Sequence, residues 1–342
     1  MTTTLEALEL QAVACRRLGS NQYADLLDEL AADHRAGGRT AALLDGRSPQ
    51  PLHDALPLRL LGALHRAALS GRAPLLAARF ASCGGDGGRV PLADLFATVD
   101  ALPDEIDHGL RSQVQTNEVG RSNCLLAVAN WLPTLGIEEF DLLEIGASAG
   151  LNLSFDRYGA DTGDGVLGRA NSPLVFESST FARAPRVRTP ALCVDRAGCD
   201  LNPVDPATDA LRLVSFLWPD QLHRIARLRA AIEITLPLRH RVDRASADAW
   251  IAERLASRRS RATVIFHSIV WPYLPATAKE RLRAAIVDAG QSGTVPLVWA
   301  RMEPAGPRAD LRADAWIGGV RTNHVLADVG YHGQEFEWRE AL

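Results

Sequence analysis

Residues 144–150 read Glu-Ile-Gly-Ala-Ser-Ala-Gly and bring a carboxylate, a hydroxyl and two glycines into one short stretch. Two chemistries use that spacing. As G-x-S-x-G, Gly146 to Gly150 matches the sharp strand-to-helix turn that exposes the nucleophilic serine of a hydrolase, here Ser148. As an acid followed by alternating glycines, it matches the first loop of a nucleotide-binding Rossmann-like domain. There glycine lets a ligand approach the backbone, and a helix N-terminus behind the loop offers unpaired N–H groups. The pentapeptide alone does not separate the two. The dinucleotide fingerprint G-x-G-x-x-G is not met, because Ser148 stands at the middle glycine and the third is missing. No G-K-[ST] follows, which excludes a phosphate-cradling loop.

The elements that must position this loop change character near Phe140. Upstream, LEALELQAVACRRLGS, NQYADLLDELAADHR and LPLRLLGALHRAALSG space apolar residues three and four apart, as amphipathic helices do. Ser20 or Asn21 is placed to cap the second, and Gly71 to end the third. SCGGDGG (82–88) reads as a flexible loop, and RSNCLLAVANWLPTLG as a helix broken near Pro133. No good strand is read in this part. Downstream, FDLLEIGA is a short apolar strand suited to the buried middle of a parallel sheet, and LNLSFDRYG is expected to continue as a helix. Strand candidates ending at GCDLNPVD, in LRHRVDR, in ATVIFHSIV and in TVPLVWARM alternate with helical runs from 218, 246 and 275. The tail reads as shorter, more polar strands forming an antiparallel edge. These patterns predict an α/β fold: a doubly wound, mostly parallel Rossmann-like sheet over 139–342, with an all-helical N-terminal region over 1–138.

Bulk properties narrow the function classes. A net charge of −4 gives no electrostatic reason to expect nucleic acid or an anionic membrane, and no run of about 18 apolar residues marks a membrane span. Lys279 is the only lysine among 37 basic residues, a bias that reflects a GC-rich genome rather than an arginine-based function. Five cysteines without a C-x-x-C pair suit a reducing cytoplasm and indicate neither a disulfide framework nor a thiolate zinc site. The expected partner is a small molecule in the cytoplasm. His324 and His332 have no neighbouring Cys or acid at ligand spacing, so no metal is assigned.

The hydrolase reading requires several strands and a glycine-rich oxyanion loop before the elbow, then Asp/Glu and His after it. Asp243, Asp248, His324 and His332 meet the downstream demand, but residues 1–139 read as helical and SCGGDGG follows no strand. The nucleotide reading needs the loop at the first strand, where it stands. Without a third glycine, the loop resembles that of class I S-adenosylmethionine-dependent methyltransferases. The resemblance implies S-adenosylmethionine as cofactor, held by Glu144, Gly146, Ala147, Ser148, Gly150 and Asn152, with Glu144 facing the cationic methionine part. It also implies that Asp200 in GCDLNP takes the ribose hydroxyls and that Asp243 lies near the adenine. Asp200 follows Gly150 by 50 residues, against about 20 in such folds, which implies an insertion over 158–190; otherwise Asp161 or Asp164 takes the ribose. A turn at Asp-Leu-Asn-Pro, and helix capping by Asp243 or Ser246, are the purely structural alternatives. Taken whole, the chain resembles the bacterial family catalogued as domain of unknown function 2332. QTNEVGRSNCLL, LLEIGASAGLNLSFDRY, GCDLNPVD, WPDQLHRIARLRAAI, FHSIVWPYL and WARMEP carry that resemblance.

If methyl transfer is the reaction, the groups that position and deprotonate the acceptor should follow the strands. His267, just after the strongest strand, is the candidate base because its ordinary pKa lies near neutrality; the alternative is a histidine bonded to nearby backbone. Tyr273 and Glu303 are further catalytic candidates, Glu303 for binding a substrate amine. Trp271 either stacks on a substrate or fills an interface with the helical region. Asn117 and Glu118 are candidates for the substrate, and Arg121 for the cofactor's carboxylate or an acidic substrate; Ser122 or Asn123 could equally cap the helix that follows. The N-terminal helices would then form a lid or substrate wall. Two rival functions stand beside this one: a serine hydrolase using Ser148, and a non-catalytic nucleoside or S-adenosylmethionine binder of the same fold.

Overall fold

The apolar periodicity of the N-terminal stretch folds into helices α1 (Thr4–Arg17), α2 (Asn21–Arg35), α3 (Arg39–Leu44), α4 (Leu56–Leu69), α5 (Pro74–Ala77), α6 (Leu92–Ala101) and α7 (Pro103–Arg111). The computed structural model describes residues 2–258 and 260–339. The chain divides into two units, Met1–Thr116 with Ala207–Arg227, and Asn117–Pro206 with Leu228–Leu342. Helix α8 (Ser122–Trp131) therefore belongs with the second unit, and the division falls upstream of the boundary expected at 138. The first unit also takes α9 (Ala210–Ser215).

The first unit's core is built from Leu8, Leu27, Leu30, Leu60, Leu64 and Phe80, each buried, together with Trp218 from the later segment. Each such leucine contributes about 2 kcal/mol by leaving water. Thr3 and Glu6 close a reciprocal capping box at the start of α1. Ser20 stands at the N-cap of α2, but its hydroxyl donates to Asp220 Oδ1 at 2.6 Å. Asp220 Oδ2 instead receives the Gln22 N–H at 3.2 Å. A distant carboxylate thus does the capping that sequence assigns to the serine.

The second unit is organised by strands β1 (Glu139–Ile145), β2 (Gly159–Asp161), β3 (Val166–Gly168), β4 (Val175–Phe176), β5 (Phe181–Arg183), β6 (Leu192–Asp200), β7 (Val242–Arg244), β8 (Ala262–Ser268), β9 (Leu297–Pro304), β10 (Ala309–Ile317), β11 (Val320–Val329) and β12 (Phe336–Trp338). Among the described residues, nine form one sheet in the order β5-β12-β11-β10-β9-β8-β1-β6-β7. The five from β7 to β9 pair in parallel. Numbered along the chain, those five stand in the order 3-2-1-4-5, so the direction of winding reverses between β1 and β8. β8 is buried at every position, as a central parallel strand must be. The remaining helices are α10 (Leu222–Thr235), α11 (Ala247–Ala256) and α12 (Ala276–Ser292). α11 and α12 cover one face of the sheet with Ile251, Leu282 and Ile286 against Leu143, Ile145, Ile265 and Trp299.

Two sequence expectations need correction. Residues 152–157 form a short 3-10 helix and not an α-helix continuing from the loop. Its polar side chains are claimed by tertiary partners, which sets them against helical propagation. Ser154 Oγ lies 2.8 Å from both Thr235 Oγ1 and His240 Nε2, and Asp156 binds the Arg196 guanidinium through both oxygens. The segment after it, the expected insertion, carries the small β3-β2-β4 sheet and then β5. Secondly, the tail strands are longer than β1: β10 has nine residues and β11 ten, joined at Gly318-Gly319. Antiparallel pairing is as expected. Asp314, 1% exposed on β10, accepts from Arg301 at 2.8 Å, from Arg321 at 3.1 Å and from Asn323, which holds β9, β10 and β11 together. No helix among the described residues is long and apolar enough to cross a membrane.

Candidate functional site

A parallel sheet binds ligands outside the carboxyl ends of its strands where the winding reverses. Here that place lies between Ile145, ending β1, and His267, its partner in register on β8. Both following loops hold non-glycine residues in left-handed backbone, Ser148 at φ 54° and Ile269 at φ 52°. For a β-branched isoleucine this is an outlier, and such strain gathers at functional sites.

The loop after β1 turns on Gly146 (φ 69°) and Gly150 (φ 72°). Its N–H groups are occupied. Gly146 and Ala147 donate to the Cys199 carbonyl at 2.8 and 3.0 Å, Ser148 to Asp200 Oδ2 at 3.0 Å, and Gly150 to the Ala147 carbonyl at 2.7 Å. Ala149 and Leu151 both donate to Asn117 Oδ1 at 3.1 Å. The unpaired donors expected of a helix N-terminus are therefore absent from this loop, because only a short 3-10 helix follows and the protein fills their place. A Cβ at Gly146 would stand 2.3 Å from Val270 Cγ2, and one at Gly150 2.9 Å from Val242 Cγ2. These glycines admit neighbouring side chains. Ser148 is 3% exposed, and its Oγ has no hydrogen-bond partner, an imidazole included.

The stretch 117–123 packs onto this loop, as its dense polarity suggested. Besides Asn117, Ser122 donates to Asn152 Oδ1 at 2.8 Å, and Asn152 Nδ2 donates to Glu144 Oε1 at 3.4 Å. Arg121 donates to the carbonyls of Tyr331 at 3.1 Å and Ser268 at 3.2 Å, so it reaches the end of β8. Glu118 accepts the Gly120 N–H at 3.1 Å in its own turn. Glu144 is 2% exposed, and its Oε2 has no partner. Burial drives its pKa up, and proximity to Asp200 adds to this; despite the Asn152 hydrogen bond and the Arg121 charge, it reaches about 8. At neutral pH this carboxyl is mostly protonated, which modifies the expected anionic partner for a cation.

Asp200 ends β6 beside the loop. Its Oδ2 takes the Ser148 N–H and its Oδ1 the Asn202 N–H at 2.8 Å, so the Asp-Leu-Asn turn and the placement at the glycine loop are both realised. Asp243, on β7, is held by Arg241 Nε at 2.6 Å and by Trp250 Nε1 and Arg254 at 2.7 Å. Burial raises its pKa, but these three donors outweigh it and bring it down to about 2. Its oxygens serve β7 and α11, and Ser246, the N-cap of α11, makes no side-chain cap bond.

His267 and Glu303 meet on the opposite face, because alternate strand residues point to opposite sides. His267 Nδ1 lies 2.6 Å from Glu303 Oε1. The same oxygen accepts the N–H groups of Val270 at 3.1 Å and Trp271 at 3.2 Å. The His267 ring stacks on Trp271 at 5.7 Å and 16°, with Trp299 at 6.0 Å. Its side chain is 1% exposed, and neither His267 Nε2 nor Glu303 Oε2 has a hydrogen-bond partner. Tyr273 is 66% exposed on the same short turn. The candidate residues thus form two groups flanking the β1–β8 reversal: Glu144, Asn152, Arg121, Asn117 and Asp200 around the glycine loop, and His267, Glu303 and Trp271 beyond β8.

Sequence reading missed Trp299 and Ile269. Trp299 was visible as the aromatic of WARMEP, but its place beside His267 depends on β9 lying next to β8. Nothing in the sequence marks Ile269 as left-handed.

The fold and the grouped residues define an α/β protein with a large, mostly parallel central sheet and a candidate site where its winding reverses. Over residues 5–338 the chain matches the model of a family described as uncharacterised proteins conserved in bacteria, DUF2332, and it belongs to that family. Searches of curated proteins and of solved structures returned no match.

Proposed function

We propose that the second unit binds S-adenosylmethionine at the carboxyl ends of β1 and β6 and transfers its methyl group to a small molecule. The carrying observation is Glu144 Oε2, a buried acceptor without a partner beside a glycine loop at the strand reversal. A buried carboxyl oxygen left without a donor is costly, and an ammonium supplies both donor and counter-charge. Glu144 and Asn152 would hold the methionine ammonium, Arg121 its carboxylate, and Asp200 the ribose hydroxyls. Two acceptor oxygens on one carboxylate suit a vicinal diol. Asp243, occupied by three donors, contributes the position of β7 instead of an oxygen for the adenine. Bound, the cofactor supplies an electrophilic methyl on its sulfonium.

The hydrolase alternative draws no support from Ser148, whose oxygen has neither a base nor an oxyanion pocket of unpaired N–H groups beside it. Calorimetric titration of the protein with S-adenosylmethionine and S-adenosylhomocysteine tests the proposal. Saturable binding of both is expected. No heat at millimolar ligand would overturn it, and binding without turnover on any acceptor would leave the non-catalytic binder.

A further inference from the structure

The segment between β1 and β6 holds two arginines that the cofactor reading does not use. Arg157 ends the 3-10 helix at 152–157, and Arg169 follows β3. The antiparallel β2–β3 pair brings them together: Gly159 stands opposite Gly168, and the Arg169 N–H donates to the Tyr158 carbonyl at 2.8 Å. With Asn171, Ser172, Ile234 and Leu238 they line a cavity of about 230 Å³, and no carboxylate is among its lining residues. Elsewhere in this unit arginines meet acids, as Arg254 meets Asp243 and Arg301 meets Asp314. Asp156, the neighbour of Arg157, is taken through both oxygens by Arg196. Among the described residues, neither Arg157 nor Arg169 has an ion-pair partner. A cleft walled by one sign of charge concentrates counter-ions. The walls are held in place: the Gly159 N–H donates to the Leu174 carbonyl at 3.0 Å, the Leu174 N–H to Ser172 Oγ at 3.0 Å, and Thr235, next to Ile234, meets Ser154 Oγ at 2.8 Å. A site fixed in advance loses little freedom when it is filled.

We infer that this cavity binds a small organic oxyanion, a carboxylate or phosphate ester carried on an apolar body about the size of one ring. A guanidinium pairs with either group through two parallel N–H donors. The Asn171 amide offers further donors, and the Ser172 hydroxyl, which accepts from Leu174, still has its O–H to give. Ile234 and Leu238 supply the apolar wall against which the body of the ligand lies. The volume exceeds the roughly 150 Å³ of an engineered apolar cavity that takes benzene, so one ring fits. None of these residues belongs to the two groups flanking the β1–β8 reversal, so this site stands apart from the methyltransferase reading. Both arginines are exposed, so water and salt screen each contact, and losing one should weaken the anion only about fivefold.

The test titrates the full chain calorimetrically, at low salt, with benzoate, phenyl phosphate, inorganic phosphate and uncharged benzamide. At least one of the two ring-bearing anions should bind with a dissociation constant of about 1 mM or below, and benzamide at least about tenfold more weakly. The tighter of benzoate and phenyl phosphate decides between a carboxylate and a phosphate ester. Inorganic phosphate lacks the apolar body and should bind at least about fivefold more weakly than phenyl phosphate. Arg157→Gln and Arg169→Gln should each weaken the preferred anion about fivefold, with urea midpoints unchanged because both side chains are exposed. Arg188→Gln, at an exposed arginine of the same segment outside the cavity lining, should keep the affinity within about twofold. Three results would each overturn the proposal: no binding of either ring-bearing anion at about 10 mM, benzamide equal to benzoate, or wild-type affinity in both cavity variants. Inorganic phosphate equal to phenyl phosphate would overturn the apolar half of the ligand.

Discussion

Replacing Glu144 by glutamine should make the second unit more stable, by an amount that grows with pH. In the unfolded chain the carboxyl ionises near 4.5, whereas burial holds it neutral in the fold up to about 8. Below pH 4.5 both states carry the proton, and the group adds no pH-dependent cost. Between those limits unfolding releases a proton, so stability falls as pH rises. Above about 8 the folded carboxyl ionises too, and the penalty stops growing. At about 1.4 kcal/mol per pH unit, the cost is roughly 3 kcal/mol at pH 7 and roughly 5 kcal/mol above pH 8. Glutamine keeps the shape and an acceptor for Asn152 and does not titrate. Urea unfolding followed by tryptophan fluorescence reports on the right unit, because six of the seven tryptophans lie in it. The gap between Glu144→Gln and wild type should widen by at least about 2 kcal/mol from pH 5 to pH 8. Parallel curves across that range would refute the buried, neutral carboxyl and with it the account of why its oxygen awaits a donor.

Cofactor binding should draw on the same proton: an arriving ammonium re-ionises Glu144, so titration with S-adenosylmethionine at pH 7 should release close to one proton, seen as heats that differ between phosphate and Tris, and equal heats would speak against that contact. Asp200→Ala should weaken S-adenosylmethionine at least about tenfold and cost roughly 2 kcal/mol, since the Ser148 and Asn202 N–H groups lose their acceptor; unchanged affinity would move the ribose elsewhere. Ser148→Gly should raise stability by about 1 kcal/mol by relieving left-handed strain and removing an unpaired hydroxyl. A less stable variant would show that the hydroxyl is needed. Asp314→Ala should cost about 3 kcal/mol, measured by chemical denaturation, because Arg301 and Asn323 are left facing a vacated buried site; a loss below 1 kcal/mol would contradict that.

The parallel strands were legible because burial on both faces demands apolar runs: FDLLEI and ATVIFHS could hardly be anything else. The helices of the first unit were legible from their period. The turn at 152–157 was not, since its sequence carries a helical pattern while Thr235, His240 and Arg196, all distant in the chain, claim its polar groups. The occupied N–H groups of the glycine loop escaped for the same reason, because Asn117 reaches them from before β1. At the candidate site, residue types were readable and pairings were not. His267 and Glu303 each stood out, yet only the adjacency of β8 and β9 brings them to 2.6 Å. Nor does spacing reveal that Glu144 and His267 point to opposite sides of the sheet.

β5 is encoded between β1 and β6, yet it bonds to β12 at the far margin of the sheet, where Phe181 meets Phe336 at 5.3 Å. During synthesis one half of that pairing leaves the ribosome long before its mate, so this margin can be sealed only after almost all later strands have been made. Closing so long a loop is slow and entropically costly. A nascent or shortened chain lacking 336–338 would present 181–183 as an orphaned ribbon in mid-sequence, a ready template for pairing with a neighbouring molecule.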